Sequence, residues 1–193
     1  KMFIRAQDFT ITESKQASGW QWHFYDKCYR QLPMPNIPKD NIATALMVLE
    51  LLSIEFTEQR VAELISTTKV AGRTELLFDA CQVMLDVGHN PLAARYLAQT
   101  LQSIKANKVH AVVGMLADKD ITNTLTPLMP FIDHWYLCSL DVNRGAKSSR
   151  LAEVFDTKDK DRLLSFDNVA HGYKMAQNQA GKDDLILVIG SFV

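Results

Sequence analysis

The 193-residue sequence contains no apolar run long enough to cross a membrane and no excess of charge of either sign. Its 21 Lys and Arg residues are balanced by 22 Asp and Glu residues, which gives a formal net charge of −1. Proteins bind nucleic acids and anionic membrane surfaces through a basic field, which this chain lacks. We therefore expect neither a nucleic acid nor a membrane among its partners.

Cysteine is scarce in this chain, which has only Cys28, Cys81 and Cys138. An odd and scattered set of cysteines does not suit a disulfide framework, and the spacing is not that of zinc ligands. Reduced thiols are typical of cytoplasmic proteins, so we expect this chain to act in the cytoplasm.

The two glycine-rich motifs that bind nucleotide phosphates are also missing. The sequence has no Gly-x-x-x-x-Gly-Lys-[Ser/Thr] loop, and no Gly-x-Gly-x-x-Gly turn follows a predicted strand. The second absence counts against a dinucleotide-binding oxidoreductase domain.

The sequence does contain ample material for a core, with 47% hydrophobic residues, and two patterns divide it. Residues 1–70 begin with strand-like pieces that form a hairpin, at 20–25 and near 28–32. Two helices follow, one at 41–52 with Asp40 as its N-cap and one from Thr57 to about residue 66.

From residue 74 onward, predicted strands alternate with predicted helices. The strands are at 75–78, 83–86, 109–114, 135–140, 163–166 and 185–189, and the helices are at 92–102, 121–129, 149–155 and 168–179. This alternation predicts an α/β fold, a Rossmann-like and mostly parallel sheet with helices on both faces. The change of pattern places a boundary within residues 69–73, which separates domains at 1–70 and 71–193.

The segment from Val83 to Pro91 combines an apolar strand, a carboxylate and a tight turn before a helix. Asp86 ends the strand, and His89 lies in the turn, so both would reach the carboxyl edge of the sheet. Open α/β sheets bind ligands at that edge, and the free N–H groups of a helix start favour anions. The alternative is that Asp86 caps the helix and His89 only fills the turn.

Four further polar residues are placed where they could serve the same edge. Arg73, near the domain boundary, could hold a phosphate with its planar guanidinium, although most arginines are simply exposed. Lys119 follows the strand at 109–114 and could attract a carboxylate or a phosphate. The alternative is a solvated loop in which Asp120 caps the next helix. Arg144 and Ser191 follow later strands.

Six short segments match the motifs of one enzyme family in the same order. They are Gly72-Arg73-Thr74-Glu75, Asp86-Val87-Gly88-His89-Asn90-Pro91, Gly114-Met115-Leu116-Ala117-Asp118-Lys119-Asp120, Trp135-Tyr136, Arg144-Gly145-Ala146 and Gly190-Ser191-Phe192. Together they resemble the bacterial dihydrofolate synthase/folylpolyglutamate synthase family, which belongs to the Mur ligase superfamily. The resemblance extends from about residue 33 to residue 193, and Ala71 stands where the family's hinge usually has proline.

The resemblance implies a domain organisation. Residues 1–70 would be the incomplete C-terminal part of a central ATP-binding domain, and residues 71–193 would be a C-terminal glutamate-binding domain. In this family the phosphate loop and the magnesium ligands lie upstream of the region that corresponds to residue 1. We therefore expect no metal ligand in this chain and no activity from this piece alone.

The activity that the resemblance implies is that of an ATP-dependent ligase. It would add L-glutamate to dihydropteroate or to folate polyglutamate tails through an acyl phosphate, with ATP and Mg²⁺ as cofactors and as a monomer. One alternative is a Mur-type ligase that adds an amino acid to a peptidoglycan precursor. Another is a non-catalytic α/β module that binds a partner.

The resemblance also implies roles for individual residues. It assigns catalytic roles to Arg73 and His89 and substrate binding to Lys119, Arg144 and Ser191. Nucleotide binding falls to Asn41, Arg73, Asp86 and His89, although Asn41 could instead be a simple helix cap.

Overall fold

The computed structural model describes residues 2–13 and 19–191, and it divides into two compact units, Lys1–Val70 and Ala71–Val193. Each unit has a hydrophobic core of its own. Phe192, the last residue of the final family-like motif, lies outside the described residues. Within the described ranges, no helix combines the length and the apolar character that crossing a membrane requires.

The first unit is a three-stranded antiparallel sheet followed by two helices. The elements are β1 (Phe9–Glu13), β2 (Gly19–Phe24), β3 (Lys27–Pro33), α1 (Lys39–Leu51) and α2 (Glu58–Thr67). The predicted hairpin is β2 and β3, and β1 adds a third strand that the prediction did not include. Trp20 and Trp22 are fully buried, and their indole N–H groups donate to the carbonyl oxygens of Pro33 and Ala43.

The starts of the two helices test the predicted caps. Thr57 is confirmed as the cap of α2, since its side chain accepts the N–H of Arg60. Asp40 is wrong as the cap of α1, because the helix already begins at Lys39, after Pro38. Asp40 lies in the first turn and instead forms an exposed ion pair with Arg5 at 2.8 Å.

The second unit contains a six-stranded sheet in the order β4-β5-β9-β6-β7-β8. The strands are β4 (Glu75–Phe78), β5 (Gln82–Asp86), β6 (Val109–Gly114), β7 (His134–Cys138), β8 (Leu163–Phe166) and β9 (Leu185–Gly190). Only β4 runs antiparallel to its neighbour, so the prediction of a mostly parallel sheet is confirmed. The last strand, β9, is inserted between β5 and β6.

Helices cover both faces of this sheet, as predicted. They are α3 (Pro91–Ser103), α4 (Ile121–Leu125), α5 (Ser148–Ala152) and α6 (Val169–Gln179). One core contains buried residues of α3, α4 and α5, and a separate core on the other face contains Ala176 of α6. The helix predicted to reach residue 129 ends at Leu125. A 3-10 helix, Thr126–Phe131, replaces its second half because Pro127 and Pro130 lack the N–H that an α-helix needs.

A buried polar cluster lies at the amino-terminal edge of the sheet, around His110. Its Nε2 is 3.3 Å from Oδ2 of Asp184, its Nδ1 is 2.9 Å from the hydroxyl of Tyr136, and its ring stacks on that of His134. Burial lowers the pKa of His110. Burial alone would raise the pKa of Asp184, but hydrogen bonds from Gly181 and His110 outweigh it and lower that pKa. At neutral pH the contact is therefore a hydrogen bond from a neutral imidazole.

This arrangement makes stability depend on pH in a defined direction. As the pH falls below about 6.5, the ordinary pKa of histidine, the unfolded chain takes up a proton that native His110 resists. We expect the free energy of unfolding to fall between pH 7.5 and pH 5.5, and to fall less in His110→Gln. Urea unfolding at several pH values measures this, with the exposed His171→Gln as the control. Equal slopes for the wild type and His110→Gln would contradict the assignment.

Candidate functional site

The candidate site is the edge of the second unit's sheet where β5, β9 and β6 end side by side. Asp86 of β5 pairs with Ile189 of β9, and Gly190 of β9 pairs with Gly114 of β6. The carboxyl ends of parallel strands share one edge, which is where open α/β sheets bind ligands. The insertion of β9 thus brings Ser191 between two loops that precede it by about 75 and 100 residues.

Asp86 connects two segments of backbone at this edge. Its side chain is buried, its Oδ2 accepts the N–H of Thr74 at 2.9 Å, and its Oδ1 accepts the N–H of Gly88 at 2.7 Å. The cap of α3 is Asn90, whose Oδ1 accepts the N–H of Ala93 at 2.9 Å. The alternative that Asp86 caps this helix is therefore wrong. Its carboxylate instead ties the 71–74 loop to the turn that precedes α3.

The environment of Asp86 perturbs its acidity. Burial raises the pKa of Asp86, while the two N–H donors and the nearby positive charge of Arg73 act in the opposite direction. The balance leaves the pKa above its ordinary value. Arg73 and Asp86 therefore lie close enough to interact electrostatically.

Arg73 lies between two residues with left-handed backbone conformations. Gly72 has φ +66° and Thr74 has φ +44°. The carbonyl of Gly72 accepts the N–H of Val87 at 2.7 Å, and its own N–H donates to Oε2 of Glu75 at 2.8 Å. A Cβ atom on Gly72 would approach Cγ1 of Val87 to 2.8 Å, so the position before Arg73 requires glycine.

His89 is held in one tautomer by its own turn. Its Nδ1 lies 2.9 Å from the carbonyl oxygen of Val87, and because a carbonyl only accepts, Nδ1 carries the proton. The ring is partly exposed. In the neutral ring this leaves Nε2 as the nitrogen with a free lone pair, which can accept a hydrogen bond from a ligand.

Ser191 and Arg144 both form hydrogen bonds with the loop that follows β6. The N–H of Ser191 donates to Gly114, and its Oγ accepts the N–H of Leu116 at 3.0 Å. The carbonyl of Arg144 accepts the N–H of Ala117, and its exposed guanidinium pairs with Asp118 at 2.8 Å. The structure therefore brings Ser191 and Arg144 to the same loop from distant parts of the chain.

The contacts of the remaining predicted residues do not indicate a role in ligand binding. Asp120 caps α4 by accepting the N–H of Asn123, as the alternative for this loop proposed, while Lys119 beside it is partly exposed. Asn41 belongs to the first unit, where it is exposed in the first turn of α1. It is not the N-cap of that helix, so the capping alternative for Asn41 is wrong.

A cavity of about 600 Å³ opens at this edge within the second unit. Its walls are largely aliphatic, and its polar lining residues include Glu75, Asp86 and Ser191. Arg73, His89, Lys119 and Arg144 do not line it. In residues 2–13 and 19–191, no group of three or more His, Cys, Asp or Glu side chains is arranged to hold a metal ion.

Glu75 also belongs to this site, although the sequence analysis predicted only that it starts a strand and ends a motif. Its position three residues after Gly72 allows its carboxylate to turn back and accept the N–H of that residue. The sequence feature that could have indicated this hydrogen bond is a carboxylate three residues after a glycine at the domain boundary.

The fold and this edge define a glutamate ligase domain of the Mur ligase type. The sequence model of the family "Mur ligase, glutamate ligase domain" matches residues 72–192, and the chain belongs to this family.

Within this family, the chain is similar to enzymes that act on folates. The chain is 37% identical over 174 residues to the dihydrofolate synthase/folylpolyglutamate synthase of Escherichia coli. The aligned region covers 89% of this chain and 40% of that relative. It is also similar to the crystal structure of the bifunctional enzyme of that name from Yersinia pestis. The TM-score is 0.85 at 33% identity, over 99% of this chain and 44% of that one.

A third comparison concerns a structure with bound ligands. The bifunctional folylpolyglutamate synthase/dihydrofolate synthase with Mn, AMPPNP and L-glutamate bound superimposes with a TM-score of 0.84 at 34% identity. The match covers 99% of this chain and 45% of that one. The chain thus spans less than half the length of these relatives, and the resemblance predicted from its motifs is confirmed.

The close approach of β9 to β6 generates a prediction for Gly190. Its φ is +147°, and a Cβ atom there would lie 1.7 Å from the carbonyl oxygen of Gly114. We expect Gly190→Ala to lower the free energy of unfolding by about 3 kcal/mol or more. Gly181→Ala is the control, since its Cβ would only make ordinary contact with Asp184, at 3.4 Å. Comparable denaturation midpoints for the two variants would show that the strands can separate without cost.

Proposed function

We propose that this chain is the C-terminal part of an ATP-dependent ligase that adds L-glutamate to dihydropteroate or to folate polyglutamate tails. The observation that carries the proposal is that Asp86 joins two loops at the sheet edge. Its carboxylate accepts the N–H of Thr74, next to Arg73, and the N–H of Gly88, next to His89. This arrangement occurs in a chain that is 34% identical, over 99% of its length, to a structure with AMPPNP, Mn and L-glutamate bound. The relatives are folate enzymes, which favours this activity over a peptidoglycan-precursor ligase or a non-catalytic module.

The proposed reaction has two steps. The acceptor's carboxylate attacks the γ-phosphorus of ATP, which forms an acyl phosphate and releases ADP. The amine of L-glutamate then attacks the acyl carbon, so that an amide forms, phosphate leaves and the amine loses a proton. The developing negative charge on the transferred phosphoryl group needs cations nearby.

Several residues of this chain are suited to the nucleotide side of the reaction. Arg73 would contact the phosphates, because its guanidinium can form paired hydrogen bonds with them and its backbone is held in place on both sides. The neutral ring of His89 can accept a hydrogen bond at Nε2, and Asp86 accepts hydrogen bonds from both turns. Asn41, in the first unit, is a further candidate for nucleotide binding, which the family resemblance alone supports. Mg²⁺ would neutralise phosphate charge when bound, with its ligands upstream of this chain.

The glutamate side would use Ser191, Lys119 and Arg144. L-Glutamate carries two carboxylates, which match two cations and a hydroxyl. The ion pair of Arg144 with Asp118 is exposed, with the two side chains 61% and 43% accessible, so replacing it with a ligand carboxylate costs little.

The proposed function also implies a domain organisation, a cellular compartment and a set of partners. We propose that residues 1–70 are the end of a central ATP-binding domain and residues 71–193 the glutamate-binding domain, and that this piece alone is inactive. We also propose that the enzyme is a cytoplasmic monomer whose partners are small molecules. The three free thiols support a reducing compartment, and the balanced charge argues against nucleic acids and anionic membranes as partners.

The test is phosphate release by the protein that carries this chain together with its upstream region. Mg-ATP and L-glutamate are supplied with either 7,8-dihydropteroate or tetrahydrofolate. Release with both acceptors is expected of a bifunctional enzyme, and release with one assigns that activity. A folded protein that binds ATP but uses neither acceptor would refute the proposal and favour a different acceptor.

Arg73→Ala in the same protein tests the nucleotide role. We expect kcat to fall at least about 100-fold, because a charge stabilising the transferred phosphoryl group is lost, with thermal stability little changed. Arg95→Ala is the matched control, since Arg95 is exposed on α3. Normal turnover in Arg73→Ala would remove this residue from the site.

A further inference from the structure

We propose that Glu75 is a positioning residue for the ligase reaction, which holds the turn that presents Arg73. This inference rests on the proposed function, because the position of Arg73 matters only if it meets a phosphate. The Glu75 side chain acts through the backbone of Gly72 and does not itself touch the substrates.

Three hydrogen bonds hold the backbone on both sides of Arg73. Before it, the N–H of Gly72 donates to Glu75 at 2.8 Å, and the carbonyl of Gly72 accepts from Val87 at 2.7 Å. After it, the N–H of Thr74 donates to Asp86 at 2.9 Å. Glu75 and Asp86 thus each accept a hydrogen bond from the backbone of this turn, one on each side of Arg73.

The conformation that these bonds hold is not one the chain adopts readily. Thr74 is β-branched and has φ +44°, a left-handed conformation that costs an ordinary residue about 1 to 2 kcal/mol. Such residues persist where the surroundings over-determine them. Without the acceptor at Glu75, the backbone before Arg73 keeps only the hydrogen bond from Val87 to the carbonyl of Gly72, and the direction of Arg73 is less well defined.

The surroundings of Glu75 indicate that its role is to accept a hydrogen bond. Glu75 is partly buried at the start of β4, opposite Leu85, and it lines the cavity. None of the ion pairs found in the described part of the chain involves it. A neutral side chain of the same shape with an oxygen acceptor would therefore do the same work.

The experiment compares Glu75→Ala and Glu75→Gln in the protein that carries the upstream region. We expect Glu75→Ala to lower kcat about tenfold, because Arg73 is misplaced, with the KM for L-glutamate little changed. Glu75→Gln keeps the acceptor and should stay within about twofold of the wild type. Glu153→Ala is the control, since that carboxylate is exposed and pairs only with Arg150 among the ion pairs of the described residues.

Combining the substitutions with Arg73→Ala tests whether Glu75 acts through Arg73. Glu75→Ala should then cause no further loss of kcat, since the residue it positions is gone. Equal losses in both backgrounds, full activity of Glu75→Ala, or a Glu75→Gln variant as impaired as Glu75→Ala would each overturn the proposal.

Amide exchange in the 193-residue chain separates this proposal from the proposed function. The Gly72 N–H should exchange faster in Glu75→Ala and retain its protection in Glu75→Gln. If the wild-type enzyme releases no phosphate, the proposed function fails. The exchange then decides whether Glu75 holds the turn, and unchanged exchange at Gly72 in Glu75→Ala would overturn that as well.

Discussion

The candidate site depends on one buried carboxylate. Asp86 ends β5 inside the protein, where burial raises its pKa, and it persists there because two backbone N–H groups donate to it. Those donors belong to Thr74 and Gly88, in the two loops that carry Arg73 and His89. A buried acceptor without donors would be costly, so the carboxylate and the two loops stabilise one another. The loops are ordered as a pair around it.

A second constraint is the place of β9 in the sheet. Inserted between β5 and β6, it brings residues near the end of the chain beside residues 75 to 100 positions earlier. The approach is close enough to require glycine at Gly190 and to let Ser191 donate to Gly114. Side chains from three separate segments can therefore share the edge at which open α/β sheets bind their ligands.

Much of the second unit could be predicted from local patterns. The short apolar strands and the alternation with helices express periodicities that neighbouring residues already define, and Asp120 caps a helix through residues three positions away. The predicted bounds of two helices were wrong because nearby prolines changed where the helices begin and end. Prolines ended α4 early, and Pro38 with Lys39 started α1 before Asp40. β1 was missed although its residues alternate.

The α/β class, the family and several residues of the sheet edge could be predicted from the amino-acid sequence, because they depend on periodicity and on ordered motifs. The contacts that these residues make with one another could not be predicted in this way, and they became visible only in the folded structure. Asp86 turned out to join two loops instead of capping α3, and Glu75 turned out to hold Gly72. Such bonds depend on loop conformations, including left-handed Thr74, that form only when the packed strands bring donors and acceptors together.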